Sequence, residues 1–183
     1  SRINALAKIS RISSFKHRKM IANGVFMSHV IYLIQLWGGC SGYLLDIIQV
    51  LQNRAARLVT GLNWFTSRSK LLLQCEWLSV RQMVVYYDLI LVYKIRKDKK
   101  PVYLYNKLSR TNHYKTRLMT KKSISLPEIL NTKIAKDSFI NRAINQWNNL
   151  PEDLQSVDTL DAFKVKLKAW VKLKIPIWVN INV

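Results

Sequence analysis

Apolar residues recur at the spacing of an α-helix through most of this 183-residue chain, and this pattern constrains the fold more than any other feature. Only five glycines and four prolines interrupt it, so long stretches contain no helix breaker. Hydrophobic residues make up 49% of the sequence, which is typical of chains that fold around a core and not of disordered ones. The sequence therefore predicts a mainly α-helical bundle.

The long helices are predicted from residues that favour helix starts and ends. They span residues 14–36, 42–60, 79–97, 135–148 and 159–172, and a short helix runs from Thr66 or Ser67 to about Gln74. The predicted N-caps are Ser13 or Ser14, Ser41, Ser79, and Asp158 or Thr159. Gly38 and Gly39 are expected to end the first helix by adopting left-handed backbone angles.

Each long helix is expected to bury one apolar stripe. In the first helix the stripe comprises Met20, Ile21, Val25, His29, Leu33 and Leu36. In the second it comprises Leu44, Ile48, Leu51, Ala55, Leu58 and Leu62. In the third it comprises Val80, Met83, Val84, Tyr87, Leu91 and Ile95. Towards the C-terminus the buried sets are Phe139, Ala143 and Trp147, and then Leu160, Phe163, Leu167 and Trp170. We accordingly interpret residues 25–37 as a buried core helix and His29 as a core histidine.

Composition along the chain predicts three regions. Residues 1–100 form a helical bundle, residues 101–134 a basic and partly extended connector, and residues 135–183 a C-terminal helical region. The connector mixes tyrosines with cations and contains a single acid, Glu128. Within it, residues 123–127 alternate weakly, as a strand does.

The charge balance indicates an anionic partner. Thirty lysines and arginines stand against ten acids, which gives a net charge of +20. Such an excess repels itself unless an anion neutralises it, and nucleic acid is the usual partner. The surface of an anionic membrane is the second possibility, and a simply solvated basic surface is the third. No transmembrane segment is predicted, because the most apolar run, residues 25–37, is too short to span a bilayer.

Arg54 and Arg57 carry the most specific positive charge, because they lie one turn apart on a helix that otherwise suits a core. The nearest acid in sequence, Asp46, is more than two turns away. The two arginines either face phosphate, or cap backbone carbonyls, or pair with Asp46 or Asp88. The candidate nucleic-acid-binding residues are Arg54, Arg57, Lys94, Arg96, Lys97, Lys99, Lys100, Arg110, Lys115 and Arg117.

Catalytic and metal-binding patterns are not found in the sequence. The three histidines lie far apart, and Cys40 and Cys75 have neither metal-site spacing nor a disulfide framework. Unpaired cysteines suit a reducing compartment, so we expect an intracellular protein of the nucleus or cytoplasm. A two-metal polymerase or nuclease needs a carboxylate cluster, and the ten acids are scattered singly apart from Glu152 and Asp153, which suit a helix start. We expect no intrinsic catalysis and no cofactor.

Four stretches, taken in order, resemble a known family. They are VLQNRAARLVTGL (50–62), PVYLYNKL (101–108), HYKTR (113–117) and SFINRAINQWNNLPEDLQSVDTLDAFKVKLKAW (138–170). The set is similar to the C-terminal thumb and post-thumb region of non-LTR (LINE-type, jockey-like) retrotransposon reverse transcriptases. The matching residues are Gln52, Asn53, Arg54, Ala55 and Arg57, then Tyr114, Thr116 and Arg117, then Phe139, Trp147, Asn148, Leu150 and Pro151.

The resemblance implies a thumb that grips the backbone of RNA, an RNA–DNA hybrid or a DNA duplex beside the palm and fingers of a parent RNA-directed DNA polymerase. The polymerase aspartate motif, the endonuclease and any cysteine-rich knuckle are absent from this sequence, so the resemblance does not extend to catalysis. We expect Trp147, Asn148, Leu150 and Pro151 to serve the fold. The alternative is a structural or interaction relic of a retroelement, and a polymerase in its own right is opposed by the few carboxylates.

Overall fold

The computed structural model describes residues 3–4, 7–8, 13–108 and 137–175. These residues are mainly helical and include no strand, which confirms the predicted fold class. The predicted strand at 123–127 and the candidate residues Arg110, Lys115 and Arg117 lie outside the described residues.

The described helices are α1 (Phe15–Ala22), a π-helical turn (Asn23–Met27), α2 (Ser28–Ile31), α3 (Ile34–Trp37), α4 (Gly42–Thr60), α5 (Arg68–Cys75), α6 (Val80–Asp98), α7 (Val102–Leu108), α8 (Phe139–Asn148), α9 (Glu152–Gln155) and α10 (Leu160–Lys174). They follow one another with short connections, except between α7 and α8, where residues 109–136 lie outside the described part of the chain. The structure places α7 within the predicted connector, so residues 102–108 are helical, and residues 109–134 of that connector lie outside the described residues. The amides of Leu104 and Tyr105 bond to the carbonyl of Pro101, at 3.1 and 3.0 Å, and start this helix.

The chain forms two compact units. Among the described residues, the first unit comprises those up to 34, then 40–83 and 175, and the second comprises 35–39 and 84–174. The division lies within α6, between Met83 and Val84, whereas the sequence suggested a boundary at residue 100.

The starts of α1, α4, α5, α6 and α10 lie at the predicted caps, although the side chains of Ser14 and Ser41 make no capping hydrogen bond to the helices that they precede. Ser79 and Gln82 form a reciprocal capping box, in which the Gln82 amide donates to Ser79 Oγ (3.3 Å) and the Ser79 amide to Gln82 Oε1 (3.0 Å). Ser67 Oγ accepts from the Lys70 amide, and Thr159 Oγ1 accepts from the Ala162 amide, both at 3.4 Å. These bonds satisfy amides that the first turn of a helix otherwise leaves without a partner.

The predicted first helix is not continuous, and its predicted buried stripe is wrong. The π-helical turn adds a residue to one turn, and a break follows at Tyr32 and Leu33, where Leu33 has a φ of 51°. Both features rotate the later residues away from the expected face. The buried residues are Ala22, Phe26, Met27 and Ile34. His29 is exposed and not a core residue.

Gly38 and Gly39 follow α3 but do not end it through the left-handed backbone angles that were predicted. Within the described part of the chain, Gly61 is the only glycine with a positive φ, so neither Gly38 nor Gly39 supplies a left-handed cap. A Cβ on Gly39 would lie 2.3 Å from the carbonyl oxygen of Asp137 and 2.7 Å from Arg142 Nη1. Glycine is needed here because the backbone packs against another segment too closely for any side chain.

The buried face of α4 also differs from the prediction, because it is partly polar. The buried residues are Leu45, Gln49, Gln52, Asn53, Ala55, Ala56 and Val59, so of the predicted stripe only Ala55 is buried. Gln52 Nε2 donates to the carbonyl of Leu78 (2.8 Å), and Gln49 Oε1 accepts from the Val80 amide (2.8 Å). The side-chain amides of these two glutamines provide hydrogen-bond partners for the backbone between α5 and α6. The spacing of apolar residues does not reveal buried glutamines of this kind.

In the second unit, aromatic packing joins α6, α8 and α10. Tyr93 stacks on Phe163 with ring centroids 4.4 Å apart, and Trp147 lies 6.2 Å from the same ring. Trp147 is only 2% exposed. Gln155 Nε2 donates to the carbonyls of Trp147 (3.2 Å) and Leu150 (2.9 Å), which fixes the turn at the start of α9.

The stripes predicted for α6 and α10 are largely buried. Val80, Met83, Val84 and Ile95 of α6 are buried, as are Phe163 and Leu167 of α10. The remaining members of these stripes are half-buried, namely Tyr87, Leu91, Leu160 and Trp170.

Candidate nucleic-acid interface

The C-terminal end of α4 is built as a sharp corner. Gly61 has a φ of 70° and its amide donates to the carbonyl of Arg57 (2.8 Å), which ends the helix. Asn63 then holds the following turn, because its Oδ1 accepts from the Trp64 amide (2.6 Å) and its carbonyl accepts from the Thr66 amide (3.0 Å). The corner places Trp64 beside the last turn of α4.

Three arginines meet at this corner. Arg57 Nη2 donates to the carbonyl of Trp64 (3.3 Å), and the guanidinium carbon lies 4.5 Å from the centroid of the Trp64 ring. Arg18, from α1, donates through Nε to the carbonyl of Val59 (2.9 Å). Arg54 is exposed and makes no hydrogen bond or ion pair within the described ranges. All three line a cavity of about 460 Å³, together with Gly61 and Trp64.

The acids that could neutralise these arginines bind other cations. The sequence of the first unit contains two acids, Asp46 and Glu76. Asp46 pairs with Arg81 at 3.1 Å, and Glu76 pairs with Lys19 at 2.6 Å. Asp88, the other predicted acidic partner, pairs with Arg142. Of the predicted alternatives, Arg57 caps a backbone carbonyl, that of Trp64. Arg54 neither caps a carbonyl nor pairs with an acid within the described residues.

The corner can bind an anion. The partial negative charge at the C-terminus of α4 stabilises nearby cations, which helps this helix end to tolerate several arginines. Arg18 and Arg57 each use part of their five N–H donors on carbonyls, and the guanidinium of Arg54 uses none within the described part of the chain. The cavity has a volume within the range of about 300–1,000 Å³ that is common for ligand sites. Phosphate oxygens match the fork of an arginine in geometry and charge.

The second predicted basic cluster, at the end of α6, is partly committed to packing. Arg96 Nη1 donates to the carbonyl of Leu108 (3.3 Å), its guanidinium lies 5.2 Å from the Trp147 ring centroid, and burial lowers its pKa. Lys97 donates to the carbonyl of Asp158 and lies over the Tyr93 ring. Lys94, Lys99 and Lys100 are exposed and remain candidate phosphate contacts.

Enzyme chemistry commonly depends on metal-binding and nucleophilic groups. The described residues contain no group of three or more histidines, cysteines or acids that could hold a metal ion. Burial raises the pKa of the Cys75 thiol to about 11, so this cysteine is a poor nucleophile. None of the described helices combines the length and the apolarity needed to cross a membrane.

The chain matches no protein-family model, no curated protein and no solved structure. The assignment of the site therefore rests on the geometry of its residues. Two of those residues, Arg18 and Trp64, were not among the candidates predicted from the sequence. Arg18 lies in a different helix, 36 residues before Arg54, and no local spacing connects the two. Trp64 offered a weak signal, because it begins a pair of adjacent aromatics in a loop directly after the arginine helix.

Proposed function

We propose that this chain is a nucleic-acid-binding, non-catalytic part of a non-LTR retrotransposon reverse transcriptase, and that it grips the phosphate backbone of an RNA–DNA hybrid, RNA or DNA duplex. The observation that carries the proposal is the corner formed by Arg18, Arg54 and Arg57, whose neighbouring acids are already paired. Two of these arginines belong to the Gln-Asn-Arg-Ala-x-Arg motif on which the resemblance rests.

The proposed contact is with the backbone and not with base edges. A chain with a net charge of +20 gains affinity by releasing the counterions that surround a nucleic acid. Arginines at a helix end provide charge and a planar hydrogen-bonding fork, and such phosphate contacts carry no base sequence information. Recognition of a hybrid then depends on the shape of its A-form-like backbone.

In this proposal the chemistry of polymerisation belongs to the palm of the parent polymerase, which supplies the carboxylates for two metal ions. The present chain holds template and primer in place beside it. The proposal also includes three exposed lysines of the second unit as phosphate contacts, namely Lys94, Lys99 and Lys100.

A second candidate function is that of a structural relic without a nucleic-acid ligand. It is favoured by the two hydrogen bonds that Arg18 and Arg57 donate to carbonyls of their own unit. Arg54 distinguishes the two hypotheses, because it is exposed and its loss should not affect the fold.

The test is the affinity of the full chain for a blunt RNA–DNA hybrid, measured by fluorescence anisotropy for wild type, Arg54→Gln and Lys172→Gln. The control removes the same charge from an exposed position on α10. We expect Arg54→Gln to weaken binding about tenfold, since a hydrogen bond to a charged group contributes about 1.5 kcal/mol or more. Equal effects of the two substitutions, or no binding by wild type, would refute the proposal.

A further inference from the structure

Trp64 and Phe65 form an exposed aromatic pair directly beside the arginine corner. Trp64 is 67% exposed and Phe65 is 91% exposed, although both are large apolar side chains. Contiguous exposed apolar surface rimmed by polar residues is a common feature of binding sites. The pair therefore requires an explanation that core packing does not provide.

The backbone of the loop that carries these rings is anchored on both sides. Gly61 ends α4 on one side of the loop, and the side chain of Ser67 caps α5 on the other. Asn63 fixes the turn between them through two hydrogen bonds. A loop whose backbone is anchored at both ends loses less backbone freedom when a ligand binds, which favours affinity.

The charge around Trp64 points to the class of ligand. The guanidinium of Arg57 lies over the indole ring, and Arg54 and Arg18 line the same cavity as Trp64. A nucleotide combines a flat base with a phosphate, so an aromatic ring next to arginines matches both of its parts. Proteins that bind single strands use this combination of a stacking ring and a positively charged groove.

We propose that Trp64 and Phe65 stack the unpaired bases of a single-stranded nucleic-acid segment while the arginine corner holds its phosphates. This inference rests on the proposed function and extends it, since a hybrid with a single-stranded overhang would occupy both surfaces. Duplex bases are already stacked on one another, so a blunt duplex gains nothing from the aromatic pair.

The test compares three probes, namely a blunt RNA–DNA hybrid, the same hybrid with a short single-stranded overhang, and the single strand alone. Binding to the full chain is measured by anisotropy for wild type, Trp64→Leu and Tyr103→Leu. Tyr103 is the matched control because it is a similarly exposed aromatic, at 66%, on α7 of the other unit. Far-ultraviolet circular dichroism melts confirm that each variant folds.

We expect wild type to bind the overhang hybrid about 5- to 150-fold more tightly than the blunt one, which is the range for stacking one base on an aromatic side chain. Trp64→Leu should weaken binding to the overhang hybrid more than binding to the blunt one and so reduce this difference, whereas Trp64→Phe should retain most of it. Tyr103→Leu should behave as wild type.

Two results would overturn the inference. One is equal affinity of wild type for the blunt and overhang hybrids. The other is an equal loss on all probes with Trp64→Leu, which would show that the ring only positions Arg57. Failure of the proposed function looks different, because the blunt hybrid would then not bind, or would bind regardless of Arg54, while the dependence of single-strand binding on Trp64 could persist.

Discussion

The ion pair between Arg142 and Asp88 is expected to be the most costly polar contact to break in the second unit. The side chain of Asp88 is fully buried, and Arg142 donates to it through Nε (2.7 Å) and Nη2 (3.3 Å). Arg142 also donates to the carbonyls of Asp137 (2.8 Å) and Gln35 (3.0 Å). It thereby joins α6 and α8 to the segment that contains Gly39.

Arg142→Met removes the cation and leaves a buried carboxylate without its partner. Breaking a buried pair from one side costs about 3–5 kcal/mol, which is a large share of the roughly 5–15 kcal/mol that stabilises a typical domain. The measurement is urea unfolding of the full chain at neutral pH, followed by circular dichroism. Lys164→Met is the control, because its pair with Asp161 is exposed and such pairs contribute at most about 1 kcal/mol.

The same pair predicts a dependence of stability on pH. Burial raises the pKa of Asp88 from 3.8 to about 6, against the opposing effect of the hydrogen bond and charge of Arg142. The pKa of Asp88 is higher in the folded state than in the unfolded state. Protonation of this carboxyl therefore adds to the free energy of unfolding, fully so below about pH 3.8, and this stabilisation is lost as the pH rises through about 6. The loss amounts to about 3 kcal/mol, and Asp88→Asn should remove this part of the profile.

Without Arg142 the carboxyl of Asp88 should protonate more readily. The loss of stability that Arg142→Met shows relative to wild type should therefore become smaller as the pH is lowered from neutral to about 5. The double variant Asp88→Asn with Arg142→Met should recover much of the stability, since no buried charge remains. Two results would contradict a stabilising buried pair: Arg142→Met loses no more stability than Lys164→Met, or its loss of stability relative to wild type does not change with pH.

Three further predictions concern packing, backbone satisfaction and chemistry. Trp147→Ala should lower the free energy of unfolding by about 3–5 kcal/mol, and an unchanged melting temperature with weakened nucleic-acid binding would reverse its assignment to the core. Gln52→Leu should cost about 1–3 kcal/mol in urea unfolding because the carbonyl of Leu78 loses its donor, and a neutral effect would argue against that bond. Primer extension with magnesium and nucleotides should show no activity of the isolated chain, and activity that persists through purification would contradict this.

The sequence predicted the helices best where local chemistry determines them. The starts of α5, α6 and α10 follow from Ser67, Ser79 and Thr159, because a cap requires only a few neighbouring residues. The burial of Trp147 followed from its spacing to Ala143 on one helix. Such features depend on contacts within one or two turns.

The buried faces of α1 to α4 could not be predicted in the same way. The π-helical turn at 23–27 shifts the register of the helix without a sequence marker, and Gln49 and Gln52 are buried because they bond to backbone from distant segments. Gly39 owes its role to the carbonyl of Asp137, almost a hundred residues away. These features arise from tertiary contacts, which periodicity does not encode.

The candidate site was predicted only in part for the same reason. Arg54 and Arg57 stood out by spacing and by the lack of nearby acids, but Arg18 joins them through the packing of α1 on α4. In the opposite direction, Arg96 had the same basic context as its neighbours, yet it packs on Trp147. Sequence identifies cations readily, and the fold decides which of them are available to a ligand.

The most direct measurement of the central claim is a salt titration of hybrid binding for wild type, Arg54→Ala with Arg57→Ala, and the control Lys166→Ala with Lys172→Ala. If the arginine corner grips phosphates, each lost contact should reduce the slope of log K against log salt by about 0.7–0.9, equally for different base sequences. Lysine at both arginine positions should restore only part of the affinity. We expect a flatter slope and weaker binding for the arginine variant alone, with its fold intact by circular dichroism. A full slope and full affinity in that variant would contradict this expectation.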